Sequence, residues 1–336
     1  MAFPQLAHSD DVAASAGRTF DLLLMVSRAA NVGEAVRRTS MGMLMKAVSG
    51  ANVERAGAHA WLAECLALGV DNPRARGIGI GRVLLALVMI GLGIRGLVFG
   101  DFAGTWQRIP IEALPAHDFF VYATAIIELA TGVGVLIPRV AKIAAAVMSI
   151  FALLWMVLLK FPAIVYVPSM EAVWLGAGEI AVILAGAWVA FAALANPHGR
   201  FFSGRNGMRN ARLLFVLALP TLGLSHFLYF AQTIMLVPAW LPWRGGWAYL
   251  TGAGDLAAAF GILFAVWPRL AATLEAVMLW VITVLVWLPV LIAHLHDAGA
   301  WSAFLMSSAI AAGASVVADS YRGVQWSTFR TRDRGA

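Results

Sequence analysis

From Gly77 onward the chain alternates between long apolar runs and short polar breaks. The runs lie near 78–99, 118–137, 140–160, 172–194, 211–232, 247–267, 269–292 and 300–318. Each is long enough, as a helix, to cross about 30 Å of hydrocarbon. The breaks carry helix-stopping residues: Pro110 and Pro115, Pro138-Arg139, Pro162 and Pro168, Asn196-Pro197-His198-Gly199, Pro238 to Pro242, Pro268-Arg269, and His296-Asp297-Ala298-Gly299. Pro289 sits inside the seventh run and predicts a kinked outer end. The expectation is eight transmembrane helices.

Residues 1–76 follow another pattern. Phe20, Leu23, Leu24 and Ser27 are interleaved with Asp21, Arg28 and Glu34, which predicts amphipathic helices over 16–30, 31–50 and 52–69. Asp71-Asn72-Pro73 ends the last of them. A charged, apolar, then small-residue cleavage pattern is missing, so this stretch reads as a cytoplasmic or interfacial extension and not as a signal peptide.

Composition sharpens the picture. Hydrophobic residues make up 61% of the 336 and charged residues 12%, against roughly 45–50% and 25% in soluble domains. Mean hydropathy is +0.81. These values exclude intrinsic disorder. The single cysteine, Cys65, excludes a disulfide scaffold, an intramolecular CxxC pair and a cysteine-rich metal centre. The net charge of +6 does not point to nucleic acid, because the basic residues fall between apolar runs and follow topology.

Arg74, Arg76, Arg139, Lys142, Arg200, Arg205, Arg209, Arg212, Arg269, Arg322, Arg330, Arg332 and Arg334 fall on one side of the alternating loops; only Arg108, Lys160 and Arg244 fall on the other. The positive-inside rule then places both termini in the cytoplasm of a cell (inner or plasma) membrane. Trp106, Trp174, Trp240, Trp243, Trp247 and Trp301 mark the outer boundary.

The two halves read as copies. Arg82 and Gly93 match Arg212 and Gly223; Tyr122-Ala123-Thr124 matches Tyr249-Leu250-Thr251; Glu128 matches Asp255, Gly134 matches Gly261, Pro138-Arg139 matches Pro268-Arg269, and Met148 matches Met278. Four spans per copy make this a parallel repeat, both copies facing the same way. The division is an extension at 1–76, membrane repeats at 77–196 and 197–322, and a basic tail at 323–336.

The second copy reads Gly223-Leu224-Ser225-His226-Phe227, then Leu236-Val237-Pro238-Ala239-Trp240-Leu241-Pro242, then Trp247-Ala248-Tyr249-Leu250-Thr251-Gly252-Ala253 to Asp255. This progression resembles the DoxX-type membrane domain, more fully over 210–320 than over 79–195. In the first copy Gly96 stands in place of His226, and the loop reads Ile109-Pro110-Ile111-Glu112-Ala113-Leu114-Pro115. The resemblance implies a four-helix membrane unit duplicated in tandem. It also implies a link to quinones or oxidative stress and a soluble oxidoreductase partner, as in the membrane subunit of a thiosulfate:quinone oxidoreductase.

An ionisable group inside hydrocarbon costs about 2.5–3.5 kcal/mol on insertion scales, so Arg95, Glu128, Glu179, His226, Asp255 and Glu275 each need a reason. Depth suggests a structural ion pair between Arg95 and Glu179, and a hydrogen bond from His226 to Asp255. His226, Asp255 and Glu128 are the candidate lining of a polar cavity for a quinone carbonyl, a solute or a proton; the alternative is that such pairs only hold helices together. Glu275 lies about two turns from the inner face and is expected to snorkel. His294 and His296 point apart and do not suggest a metal site. No catalytic motif of the nucleotide-binding, serine-hydrolase or zinc-protease kind occurs. Three functions stay open: a quinone-linked membrane component working with a partner, a small-solute transporter, and a non-catalytic scaffold.

Overall fold

The computed structural model describes residues 55–77, 79–103, 115–196 and 201–328. The helices expected over 16–30 and 31–50, the Trp106 to Leu114 stretch and the end of the basic tail lie outside these residues. The helix expected over 52–69 forms as α1, Arg55–Leu66. Two compact units divide the chain, Met1–Ala60 and Trp61–Ala336, and all the membrane-length helices belong to the second.

After a single turn, α2 (Pro73–Arg76), come α3 (Ile80–Phe99), α4 (His117–Leu136), α5 (Ala141–Trp155), α6 (Phe161–Tyr166), α7 (Glu171–Leu194) and α8 (Gly204–Leu228). They are followed by α9 (Phe230–Leu236), α10 (Arg244–Leu263), α11 (Pro268–Ile282), α12 (Leu288–Ala293) and α13 (Ala298–Asp319). Among the described residues there is no β-strand, and seven helical stretches are long and apolar enough to cross a membrane. These are Pro73–Phe99, α4, Ala141–Tyr166, α7, α8, Pro268–Ala293 and α13. The eighth expected span, 247–267, does form a 20-residue helix, α10. It falls outside the apolar set because it carries Arg244, Asp255 and five glycines.

Two of the spans run further than their prolines suggest. Between α5 and α6 the helix widens into a π turn, Met156–Lys160, and between α11 and α12 into another, Thr283–Trp287. Pro162 and Pro289 follow directly. A proline inside a helix lacks one donor and crowds the preceding turn, and a π turn is one of the ways the backbone absorbs this without stopping. The chain therefore stays helical to Tyr166, where a break at Pro162 was expected, and Lys160 lies inside the molecule and not in an outer loop.

The long helices pack in a closed ring: α3 on α4, α4 on α5, α5 on α7, α7 on α8, α8 on α10, α10 on α11, α11 on α13, and α13 back on α3. Helices α7 and α13 also cross at the centre, where a Cβ on Gly186 would come within 2.5 Å of the Gly313 Cα, so only glycine permits the approach. Their windows are 72% and 83% buried, against 22% and 17% for Ala141–Tyr166 and Pro268–Ala293, whose outer faces are apolar and exposed. Because α7 leans on α8 and α13 on α3, the helices do not separate into the two self-contained four-helix bundles expected from the sequence.

One end of the ring is closed by Arg212 of α8, which is fully buried. Its guanidinium donates to the Leu66 and Leu68 carbonyls at 2.8 Å each, and to the Ser320 hydroxyl at 2.9 Å and carbonyl. It lies 3.7 Å from the centre of the Tyr321 ring. Burial, partly offset by Arg212, holds the Tyr321 phenol above its usual pKa, so it stays neutral. The segment after α13 is held further by Arg269, which donates to the Val324 carbonyl and covers the Trp326 ring.

Candidate functional site

Helices α8 and α10 meet closely at glycines. A Cβ on Gly223 would sit 2.8 Å from the Gly252 carbonyl oxygen and 3.1 Å from the Asp255 Cβ, and one on Gly252 would sit 2.9 Å from the His226 Cβ. The imidazole fits because Gly252 opposite it has no side chain. At the matching crossing of α3 and α4 the sizes are reversed: Gly96 faces Ala125.

His226 Nε2 approaches Asp255 Oδ2 to 3.7 Å, a charge-pair distance too long for a hydrogen bond. His226 Nδ1 lies 3.3 Å from the Thr251 hydroxyl. That hydroxyl donates to the Trp247 or Ala248 carbonyl, so toward the ring it acts as acceptor. With the hydroxyl so engaged, the compatible tautomer carries its hydrogen on Nδ1 and turns the Nε2 lone pair toward the Asp255 carboxyl.

Asp255 is 1% exposed, and neither of its carboxyl oxygens has a hydrogen-bond partner among the described residues. The group that acts on it most strongly is the Glu275 carboxyl of α11, equally buried and equally without a partner. The expectation that Glu275 snorkels to the inner face is thus wrong: α10 packs on α11 and holds the carboxyl inside. A single proton held between the two carboxyls would supply the bond that both lack.

Glu275 also forms the floor of an open groove of about 510 Å³ between α10 and α11, within the size range of small-molecule sites. Its walls are apolar and include Phe260, Phe264, Trp267, Leu274 and Met278. The Phe260 and Phe264 rings are nearly parallel, 6.0 Å apart at 7°, and Trp61 lies 5.9 Å from Phe264. Phe260, Trp267 and Leu274 are exposed, so the groove opens sideways, where an apolar helix face meets lipid. Trp267 has φ +48°, a left-handed conformation that is strained for a bulky residue; its N–H is tied to the Thr328 carbonyl at 2.9 Å. Gly254 opens the groove where Ile127 stands at the matching place on α4.

The remaining expected residues lie elsewhere. Glu128 is not part of a cavity with His226 and Asp255. It is buried on α4 beside a small closed space of about 20 Å³, shared with Met148, Phe151 and Trp155. The Arg95–Glu179 pair does not form. Arg95 donates to the Asp101 and Ala298 carbonyls, lies 3.7 Å from the Asp101 carboxylate, and acts electrostatically on Glu128. Glu179 is governed by Lys160 and Glu171. The two residues share a height but not a neighbourhood, since α3 packs on α4 and α13, and α7 on α5, α8 and α13. Sequence reasoning missed the burial of Lys160; its signal was a proline two residues on within an unbroken apolar run. No group of three or more potential metal ligands occurs among the described residues, and Asp297 caps α13 by accepting from the Ala300 N–H at 2.8 Å.

A chain whose described residues are helical, with apolar faces turned outward and Glu128, Glu179, Asp255 and Glu275 of its long helices held inside, is a multi-pass membrane protein. Comparison with known proteins adds one finding: residues 77–160 match the DoxX family model, which supports a DoxX-type membrane protein. The match covers α3, α4, α5 and the first π turn, in the half where the motif reading found the weaker likeness. No curated protein and no solved structure matches the chain significantly.

Proposed function

We propose that this protein binds a lipid-soluble ligand with a carbonyl or hydroxyl end, of the quinone class, in the groove between α10 and α11. The observation that carries this reading is a lipid-facing apolar groove whose lining includes the buried Glu275, set against the Asp255 carboxyl behind it. The Glu275 carboxyl can donate to or accept from the ligand's oxygen, and the Phe260, Phe264 and Trp267 rings offer stacking faces. Strain at Trp267 fits a built site more than incidental packing. Carboxyls, a thioether and aromatic hydrocarbon rings carry no electrons at ordinary biological potentials, so redox work on the ligand would fall to a soluble oxidoreductase partner.

The reading includes eight crossings in two like-facing sets of four, both termini cytoplasmic, with α10 crossing beneath the shelter of α8 and α11. Several features support the repeat. His117 and Arg244, Ala141 and Pro268, Met156 and Thr283, Phe161 and Leu288, and Glu171 and Ala298 open matching elements, 127 residues apart in every case. Gly186 and Gly313 keep the same offset at the central crossing. So do Ala116 and Trp243, both left-handed, and Trp174 and Trp301, whose indoles donate to carbonyls six residues back at 2.9 and 2.8 Å. This register places Glu275 opposite Met148, which the sequence comparison had matched to Met278.

The test is binding of decylubiquinone to the purified protein, read by quenching of tryptophan fluorescence. Glu275→Gln is expected to weaken it about tenfold, the equivalent of one hydrogen bond of about 1.4 kcal/mol, and Gly254→Ile to abolish it by filling the groove. Absence of binding, or binding indifferent to both changes, would remove the reading.

A further inference from the structure

The carboxyls at the floor of the groove lead on through the helix layer. Glu275 borders the groove, Asp255 lies behind it, and His226 stands beyond Asp255 at 3.7 Å on the α8 side, where its side chain is 23% exposed. These are the groups that α11, α10 and α8 bring together here; the charge acting on Asp255 is Glu275. The array exists only in the second half. At the matching places around Glu128 the first half has Gly96 and Met148, neither of which can take up a proton.

We propose that Glu275, Asp255 and His226 form a proton relay joining the groove to the far face of α10. The proposal rests on the reading of the groove as a ligand site, since the ligand's oxygen is the inner terminus. In the outward direction the ligand O–H bond breaks and its proton passes to a Glu275 oxygen. Glu275 hands a proton to Asp255, and, as the ring and carboxyl close from 3.7 Å to hydrogen-bond distance, Asp255 transfers one from Oδ2 to the lone pair of His226 Nε2. The ring, now carrying two N–H bonds, gives up the Nδ1 hydrogen to a water molecule at the end of α8, where a new O–H bond forms. Each O–H or N–H bond broken is replaced by one formed, and no electron moves along the array.

The test uses the full chain in lipid vesicles, transferred to heavy water, and follows the infrared C=O band of the protonated carboxyl as it shifts on deuteration. The band is assigned by its loss in Glu275→Gln. His226→Gly places at this position the residue the first half already carries as Gly96, so the crossing has room for it. In that variant exchange is expected to slow by on the order of a hundredfold, the usual effect of removing a positioned proton-transfer group. Free imidazole is expected to restore it, which a purely structural role for the ring would not allow. Unchanged exchange in His226→Gly would mean that deuterium enters through the groove, and would overturn the relay. Slow exchange that imidazole fails to restore, or a wild-type spectrum with no protonated carboxyl band, would do the same. Decylubiquinone binding is measured on the same samples. If the wild type binds none while exchange still depends on His226, the groove reading and the relay's ligand terminus fail, and only the path from Glu275 through Asp255 to His226 stands.

Discussion

Glu275→Met is the most informative single change. It places in α11 the residue that α5 carries at the matching position, Met148, which is 1% exposed and well packed. The two side chains are similar in length and volume. The wild-type carboxyl keeps both oxygens buried, and the group it faces is a second buried carboxyl, Asp255. A buried polar group left unsatisfied costs about 1–3 kcal/mol. Removing it, while Asp255 keeps His226 alongside, should therefore stabilise the protein by about 1–3 kcal/mol, or raise Tm by about 1.5–4 °C for a chain of this size. The assay is thermal unfolding in mild detergent followed by tryptophan fluorescence, with Glu275→Gln as a control that should move Tm little. Decylubiquinone affinity should fall in the same variant. Stability rising while binding falls is the mark of a residue kept for function. A lower Tm in Glu275→Met would refute the reasoning, because it would mean that the bond between the two carboxyls outweighs the burden of burying them.

Two further outcomes follow from the architecture. Arg212→Met leaves the Leu66, Leu68 and Ser320 carbonyls without their donor, at a cost of about 3 kcal/mol or more; hydrogen exchange should rise at residues 66–77 and 320–328, and protection equal to wild type would contradict the role assigned to this guanidinium. With α10 as the proposed eighth crossing, reporters fused to the two ends of the chain should surface on the same side of the membrane; opposite sides would take α10 out of the count.

Much of the helix inventory was legible because lipid imposes long apolar runs, and α7, α8 and α13 fall close to where those runs lie. The ends were less so. Pro162 looked like a stop because a proline in a soluble helix usually is one, and the π turn that accommodates it leaves no mark in composition. His226 and Asp255 were readable as neighbours since α8 and α10 are separated by only a short segment and the two residues share a depth. Arg95 and Glu179 also share a depth, yet lie on helices that hardly touch. Hydropathy reports how deep a residue sits and not which helix stands beside it. The same limit explains Glu275, two turns from an end and apparently free to reach water, but fenced in by α10. The groove itself follows from what is missing at Gly254 and from an aromatic rim, features that acquire meaning only once α10 and α11 are paired.

The exchange of final helices, α7 onto α8 and α13 onto α3, bears on how such a molecule could have arisen. A polypeptide holding only α3 to α7 would leave the flank of α3 bare where α13 now lies, and its own last helix would reach for a surface it does not possess. Two identical short chains could complete each other by trading arms about the Gly186–Gly313 contact, and a gene fusion would then have needed only a linker. On the proposed repeat, such a fusion would leave each half free to change alone, so that one could lose a polar site while the other built one.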